Sequence, residues 1–300
     1  VLPMSITDKA IALSEKPNII LCTYADMMRV PGTGQISLLH AKAKGSDVRM
    51  IYAASDALKI AQENPQKEVV FFAIGFETTT PPTALVIKQA KKLKLTNFSV
   101  FCNHVLTPVP MEHLLQSKEV KLDGFVGPAH VSIVIGSKPY EAVGQKYNKP
   151  IVISGFEPLD VLHSILMLIR QINEGRCEVE IQYTRAVTRS GNLLSQQAVA
   201  DILELRDQFE WRGLGFIPQS ALKIRAEYAE FDAEKRFELP DVIAKEHKQC
   251  LCGEILRGVK KPMECKLFAK VCVPETPLGS CMVSSEGACA AVYAYGRIHA

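Results

Sequence analysis

The sequence has few features that would favour insertion into a membrane or binding to a polyanion. No apolar run approaches the ~20 residues that a membrane-spanning helix needs. The 35 basic residues are nearly balanced by 32 acidic residues, which leaves a formal net charge of +3. This balance gives no reason to expect nucleic acid or an anionic membrane as a partner. The chain starts Val1-Leu2-Pro3-Met4, and no signal-peptide pattern follows.

The motifs of several common enzyme classes are also missing. The sequence contains neither a GxSxG nor an HExxH motif, which are signatures of α/β-hydrolases and of zinc proteases. The segment PGTGQISLL at 31–39 lacks the GK[ST] ending of a phosphate loop, and its glycines do not fit GxGxxG. No CxxC pair occurs, although paired CxxC knuckles are typical of zinc ribbons.

Cysteine, by contrast, is abundant near the C-terminus. Six of the nine cysteines fall in the last 51 residues, and gaps of twelve, six and sixteen residues separate Cys252, Cys265, Cys272 and Cys289. Thiolates at this density suggest a soft metal, and a four-iron four-sulfur cluster takes four of them. Zinc, buried free cysteines and disulfides are the alternatives. The odd cysteine count with one dense group favours a reducing compartment, the cytoplasm, over a secreted disulfide framework.

The first two-thirds of the chain alternate between apolar, β-branched runs and helical patterns. Strands are predicted at 18–24, 47–53, 67–76 and 97–104, with helical segments between them. Continuous apolar strands between helices are typical of a parallel sheet that is covered on both faces. An amphipathic helix is also predicted at 190–207.

An internal repeat indicates that the α/β part consists of two related units. Residues 67–89 and 149–169 each contain a basic residue, an apolar strand, Gly-Phe-Glu, a proline and an apolar helix. We therefore predict an α/β fold with two related parallel-sheet (Rossmann-like) units, at 1–105 and 106–189. Residues 190–300 are predicted to form a helical segment and a loop-rich C-terminal module around the cysteines.

Four side chains outside the cysteine group are candidates for a chemical role. Glu77 and Glu157 belong to the repeated Gly-Phe-Glu turns, and His130 follows a Gly-Pro turn. Since ligands of open α/β folds bind at the carboxyl edge of the sheet, we expect these three residues to face a common groove between the units. A carboxylate at a helix start gains about 0.3–1 kcal/mol from the helix dipole, so capping is the alternative role of the two glutamates. Glu286, three residues before Cys289, is the fourth candidate, with helix capping again as the alternative.

Nine segments together carry a family resemblance that no single one would establish. The sequence resembles the HypD family of hydrogenase maturation proteins over essentially its whole length, in the segments MRVPG, VVFFAIGFETTTPPTA, GPAHVSIVIG, GFEPLD, GNLLSQQA, EWRGLG, FDAEKRF, CGEILRG and MVSSEGACAA. The cysteine gaps are also similar to the cluster pattern of that family.

This resemblance implies a metallocofactor-assembly scaffold with a redox role rather than a conventional turnover enzyme. Such proteins help to build the Fe(CN)2CO group of nickel–iron hydrogenases, with a HypC-like small chaperone and a HypE/HypF-like cyanide-delivery complex as partners. The resemblance assigns Cys252, Cys265, Cys272 and Cys289 to a [4Fe-4S] cluster and leaves Cys250 and Cys281 outside the pattern. The Fe(CN)2CO group would be bound transiently.

Two further family motifs are not found in this sequence. GPGCPVC and CGGH precede the VLPM segment in the family, so we expect them upstream of Val1. Those segments supply the thiols that the family uses to bind the iron. Two alternatives to an assembly scaffold stay open: a soluble iron–sulfur α/β oxidoreductase and a zinc-stabilised interaction module.

Overall fold

Two parallel β-sheets organise the first two-thirds of the chain in the computed structural model, which describes residues 2–241 and 247–296. The strands, in chain order, are β1 Ile19–Thr23, β2 Asp47–Met50, β3 Glu68–Gly75, β4 Phe98–His104, β5 Phe125–Pro128, β6 Ile151–Ser154, β7 Val179–Ile181, β8 Leu203–Leu205, β9 Gln208–Trp211, β10 Gly215–Pro218 and β11 Leu222–Ile224. The helices are α1 Met4–Ser14, α2 Leu38–Ala43, α3 Ala54–Glu63, α4 Thr80–Lys92, α5 Pro108–Leu115, α6 Ala129–Ile135, α7 Lys138–Tyr147, α8 Pro158–Asn173, α9 Leu193–Ile202, α10 Ala233–Arg236, α11 Cys252–Leu256, α12 Ser280–Val283 and α13 Ala288–Tyr295.

The first sheet has four parallel strands in the order β2-β1-β3-β4. Alternate residues of the central strands enter two separate cores, because successive side chains of a strand point to opposite faces. Phe71 packs with α3 and α4 on one face, whereas Phe72 packs with α1 and α2 on the other. Burial on both faces explains why these strands are continuously apolar.

The second sheet is smaller, with three parallel strands in the order β5-β6-β7. Helices α6, α7 and α8 pack against it. The predicted α/β class with two parallel-sheet units is therefore confirmed. The apolar run after the Gly-Pro turn, at 131–135, lies in helix α6.

Both Gly-Phe-Glu turns require glycine for the same steric reason. Gly75 is the last residue of β3 and Gly155 directly follows β6, and in both cases a side chain from the next helical segment packs closely against the glycine. A Cβ on Gly75 would lie 2.4 Å from Thr79 Oγ1, and one on Gly155 would lie 2.1 Å from Asp160 Oδ2. Both distances are too short for any side chain, so both strand-to-helix turns require glycine.

Helix α8 is unusual because its apolar side chains face solvent. Leu159, Leu162 and Leu166 are all strongly exposed, as are Ile165, Ile169 and Ile172. Spacings of three and four residues place these side chains along one side of the helix. A continuous exposed apolar stripe of this kind is typical of a protein interaction surface.

The chain between the sheets and the cysteines is mixed. Helix α9 begins at the N-cap Asn192, whose side chain accepts a hydrogen bond from Ser195 N–H, as expected. It ends at Ile202 rather than near Asp207, because residues 203–205 pair with β11 as an antiparallel strand. Strands β9 and β10 form a hairpin, with the Trp211 indole N–H donating to Ser220 Oγ at 2.7 Å.

The C-terminal region is rich in loops and has its own small core. Three short helices, α11, α12 and α13, are connected by turns, and their apolar side chains pack with the cysteines. In the part of the chain that the structure describes, no helix combines the length and the apolar character needed to cross a bilayer.

Candidate functional site

Six cysteines surround one small cavity in the C-terminal region. They share the cavity wall with apolar side chains such as Ile255, Leu267 and Met282, and they are Cys250, Cys252, Cys265, Cys272, Cys281 and Cys289. The four cysteines of the predicted ligand set are at most 8 % exposed. The fold thus brings together residues that are up to 37 positions apart in sequence. All nine cysteines of the chain are free thiols, and none is in a disulfide.

Short local structures aim these thiols at the cavity. Cys252 is the first residue of α11, and Cys289 lies in the first turn of α13. Between Cys265 and Cys272 the chain makes a tight loop, in which Cys272 N–H donates to Leu267 O at 3.0 Å. Ala269 adopts a left-handed conformation with φ of 56°, which lets the loop turn back.

Several of the cavity sulfur atoms take part in hydrogen bonds. Leu278 N–H donates to Cys272 Sγ at 3.3 Å, and Ser280 Oγ lies 3.0 Å from Cys252 Sγ. Cys281 Sγ lies 2.6 Å from Cys252 Sγ, and hydrogen bonding between the two thiols lowers the pKa of Cys252 and raises that of Cys281.

Two cavity cysteines lie outside the ligand pattern that the sequence suggested. Burial raises the pKa of Cys250 to about 11. A Cβ on Gly279 would lie 2.5 Å from Cys250 Sγ, so this glycine is needed for close packing against that thiol. Cys281 Sγ lies 2.6 Å from Cys252 Sγ and donates to Cys252 O at 3.9 Å. Gap lengths alone could not reveal these contacts, because they depend on how the turns fold back.

The thiols line the cavity rather than converge on one point. Within residues 2–241 and 247–296, no three histidine, cysteine or carboxylate side chains are arranged to hold a single metal ion. A single zinc ion needs four ligands at about 2.0–2.3 Å. Soft sulfur donors are ligands of zinc and of iron–sulfur groups alike, so the donor atoms around this cavity fit either kind of group.

The turn between β9 and β10 forms part of the support for this cavity. Arg212 is 4 % exposed, and its Nη2 donates to Leu278 O at 2.8 Å while its Nη1 donates to Pro31 O at 3.5 Å. Ser280 Oγ–H donates to Arg212 O at 3.3 Å. Gly213, with φ of 83°, brings the turn close enough that a Cβ would lie 3.5 Å from Cys252 Sγ. Arg212 therefore joins the cysteine region to the MRVPG loop of the first unit.

The three residues predicted to face a common groove, Glu77, His130 and Glu157, lie in different environments. His130 is exposed, and its ring packs on Phe156 at a centroid distance of 4.3 Å. Phe156 directly precedes Glu157, so His130 and the second Gly-Phe-Glu turn are neighbours. Glu157 is 65 % exposed and pairs with Arg185 Nη2 at 3.1 Å. An aromatic ring and an imidazole are thus in contact at the carboxyl edge of the second sheet, and Glu157 is the next residue after the aromatic one.

Glu77 is in a different environment, although its motif is the same. It is 3 % exposed, and its carboxylate accepts hydrogen bonds from Thr107 N–H at 2.7 Å and from Thr107 Oγ1 at 2.8 Å. Thr107 is the residue before α5, so Glu77 satisfies the amide at the start of that helix. Burial raises the pKa of Glu77.

Replacing Glu77 with alanine is expected to lower the free energy of unfolding by about 1–3 kcal/mol, because it leaves the half-buried Thr107 amide without its acceptor. The matched control is Glu157→Ala, in the same motif but exposed, which we expect to stay within about 0.5 kcal/mol of the parent. Chemical denaturation of both variants measures the difference. Equal effects of the two substitutions would contradict this account of Glu77.

The pH dependence of stability follows from the raised pKa of Glu77. Its ordinary value is 4.5, so above this pH the folded chain binds more protons at Glu77 than the unfolded chain. The contribution of the side chain is therefore complete below about pH 4.5 and declines as pH rises through the folded pKa. Unfolding of the parent and of Glu77→Gln, compared across this range, should show the parent losing stability relative to the variant.

Glu286 lies at the surface of the cysteine region. Its side chain is exposed, and its backbone N–H donates to Ser284 Oγ at 3.2 Å. The turn that contains it leads into α13, whose second residue is Cys289.

Comparison with known proteins identifies sequences that are similar to this chain over nearly its whole length. Residues 1–296 match the family HypD, described as "Hydrogenase formation hypA family". Hydrogenase maturation factor HypD of Cupriavidus necator is 61 % identical, over 99 % of this chain and 80 % of that protein. Hydrogenase maturation factor HypD2 of Bradyrhizobium diazoefficiens is 60 % identical, with the same coverage. HypD of Escherichia coli is 46 % identical, over 98 % of this chain and 79 % of its own length.

Proposed function

Because this chain belongs to the HypD family of hydrogenase maturation factors, we propose that it is a scaffold and redox protein for assembly of the Fe(CN)2CO centre of [NiFe] hydrogenase. We propose further that Cys252, Cys265, Cys272 and Cys289 hold a [4Fe-4S] cluster. The observation that carries this proposal is the cavity that these buried cysteines line. The chain's role in hydrogenase maturation rests on the family itself.

The chain's own residues would bind the cluster, exclude water from it and adjust its potential. The cluster, when bound, supplies one electron at a time. Ile255, Leu267 and Met282 give the cavity an apolar lining that keeps solvent away. Leu278 N–H donates to Cys272 Sγ, and hydrogen bonds of this kind to the ligand sulfurs influence the reduction potential.

The assembled iron group is the substrate, and we propose that His130 contributes to its site. Its exposed imidazole can donate or accept a hydrogen bond at the carboxyl edge of the second sheet, where α/β folds bind ligands. Phe156 holds the ring from one side. Glu157, paired with Arg185, adds a carboxylate to the same surface.

Replacing His130 with alanine, in the protein expressed from its complete coding sequence, should impair hydrogenase maturation severely and leave iron content and unfolding unchanged. The side chain is exposed, so its loss removes no buried packing. Hydrogenase activity of a deletion strain complemented with the variant is the readout. His113→Ala, on α5, is the matched control and should complement normally. Normal maturation with His130→Ala would contradict the role, and loss of the cluster would make His130 structural.

A protein partner fits the exposed apolar stripe of α8, formed by Leu159, Leu162, Ile165, Leu166, Ile169 and Ile172. We propose that the chain acts with a HypC-like small chaperone and with a HypE/HypF-like cyanide-delivery complex. The cytoplasm, whose reducing conditions keep thiols free, suits a protein with nine unpaired cysteines.

Anaerobic purification tests the proposal against its alternatives. A brown protein with broad visible absorbance, together with a co-purifying small partner, is the expected result. A colourless protein with one zinc ion would favour an interaction module instead. An iron–sulfur protein that reduces a small substrate without any partner would favour a free-standing oxidoreductase.

A further inference from the structure

The loop between Cys265 and Cys272 forms a thin wall of the cysteine cavity. Leu267 and Phe268 line the cavity from within. Lys266, Lys270 and Val271 of the same loop are exposed to solvent. The same loop therefore borders the cavity with some side chains and the solvent with others, and it is anchored at both ends by predicted ligand cysteines.

Two lysines of this wall, Lys266 and Lys270, are exposed, and they belong to a basic stretch of a chain that is nearly neutral as a whole. Residues 257–271 contain five basic residues and a single acidic one, Glu264. The Glu264 carboxylate is already engaged by the Lys260 ammonium at 3.0 Å and by Lys261 N–H. In the described part of the chain, the ammonium groups of Lys266 and Lys270 form no ion pair.

Exposed apolar side chains accompany these charges. Met263 and Val271 are 67 % and 57 % exposed. We define the loop face as Met263, Lys266, Lys270 and Val271. A small apolar centre with charged surroundings is typical of weak, transient protein interfaces, and those of electron-transfer pairs are among the smallest, below about 1,200 Å².

We propose that the loop face is the docking surface for a small acidic protein that carries one electron. Charge complementarity selects the partner, since the two unpaired lysines attract a negative surface and orient it over the thin wall. The cavity cysteines would hold the group that accepts one electron from the reduced carrier, and no bond would form or break. The inference rests on the proposed function, because it supplies the electrons for which that function needs the cluster.

The test uses a plant-type [2Fe-2S] ferredoxin as the acidic carrier. Its affinity for the purified chain is measured by calorimetric titration at low and at moderate ionic strength. The parent is expected to bind, and added salt should weaken the complex. Lys266→Glu/Lys270→Glu should bind at least about tenfold more weakly, since each change replaces attraction with repulsion. The matched control is Lys59→Glu/Lys92→Glu, an equal charge change on α3 and α4, which should bind as the parent does.

Three results would overturn the proposal. They are equal affinity of the parent and the loop variant, equal weakening by the control, and loop-dependent binding to phosphatidylserine vesicles without binding to ferredoxin. Unfolding of the loop variant is compared with that of the parent, and Lys266→Gln/Lys270→Gln gives a milder version of the same test. Iron and sulfide content is measured separately. Absence of a cluster would refute the proposed function, whereas loss of docking with an intact cluster would refute only the role of this face.

Discussion

Replacing Cys272 with alanine is expected to abolish iron–sulfur absorbance almost completely. Cys272 is 7 % exposed, lines the cavity and accepts a hydrogen bond from Leu278 N–H. In the proposed ligand set each of the four thiolates supplies one ligand position, so the loss of one would leave a cluster without a full set. Iron and sulfide per chain after anaerobic reconstitution should fall from about four of each to near zero. Cys252→Ala, Cys265→Ala and Cys289→Ala should behave in the same way.

Three cysteines outside the cavity serve as controls for this result. Cys177 is half-buried, and Cys22 and Cys102 lie in the core of the first sheet. Alanine at any of them should leave the iron content unchanged. Cys281→Ala is a sharper control, because Cys281 touches Cys252 but lies outside the proposed ligand set. A full complement of iron and sulfide in Cys272→Ala, or its loss in Cys281→Ala, would show that the ligands are assigned wrongly.

Replacing Arg212 with methionine should destabilise the chain by about 1.5–3 kcal/mol, since it removes a buried charged donor from backbone acceptors. Arg212 donates to Leu278 O and Pro31 O, so the variant also loosens the contact between the cysteine region and the MRVPG loop. The neighbouring Leu278 N–H is the donor to Cys272. We therefore expect the reconstituted variant to lose its iron to a chelator several times faster than the parent.

Arg170→Met is the control for the Arg212 substitution. Arg170 is exposed on α8, and its replacement should change the free energy of unfolding by less than about 0.5 kcal/mol. Denaturant unfolding and the rate of iron release to a chelator are measured for both variants. An Arg212→Met protein with the stability and iron retention of the parent would contradict the role assigned to this side chain.

Much of the α/β part could be predicted because burial leaves a clear pattern in the sequence. Strand β3, for instance, sits in the middle of the first sheet with both faces covered, and its apolar run was recognisable without any structure. The strand-to-helix glycines were recognisable as well, since Gly75 and Gly155 recur in the same motif. The concentration of cysteines near the C-terminus was also recognisable, whereas the choice of Cys252, Cys265, Cys272 and Cys289 among them came from the resemblance to the HypD family.

Other features depend on contacts between distant residues, which a single sequence does not reveal. Glu77 and Glu157 share a motif, yet one is buried against Thr107 and the other is exposed beside Arg185. Helix α9 ends early because β11, about 20 residues later, offers Leu203–Leu205 a partner strand. Arg212 carries no local signal of its contact with Leu278, because the two residues are 66 positions apart.

Mössbauer spectroscopy of the chain, reconstituted anaerobically with isotopically enriched iron, tests the central claim most directly. The proposal that the C-terminal cysteines hold a [4Fe-4S] cluster predicts about four irons per chain in the spectrum of a cubane cluster. That signal should be absent from Cys272→Ala and present in Cys177→Ala. A single mononuclear iron site, or a chain that retains zinc and takes up no iron and sulfide, would contradict the claim.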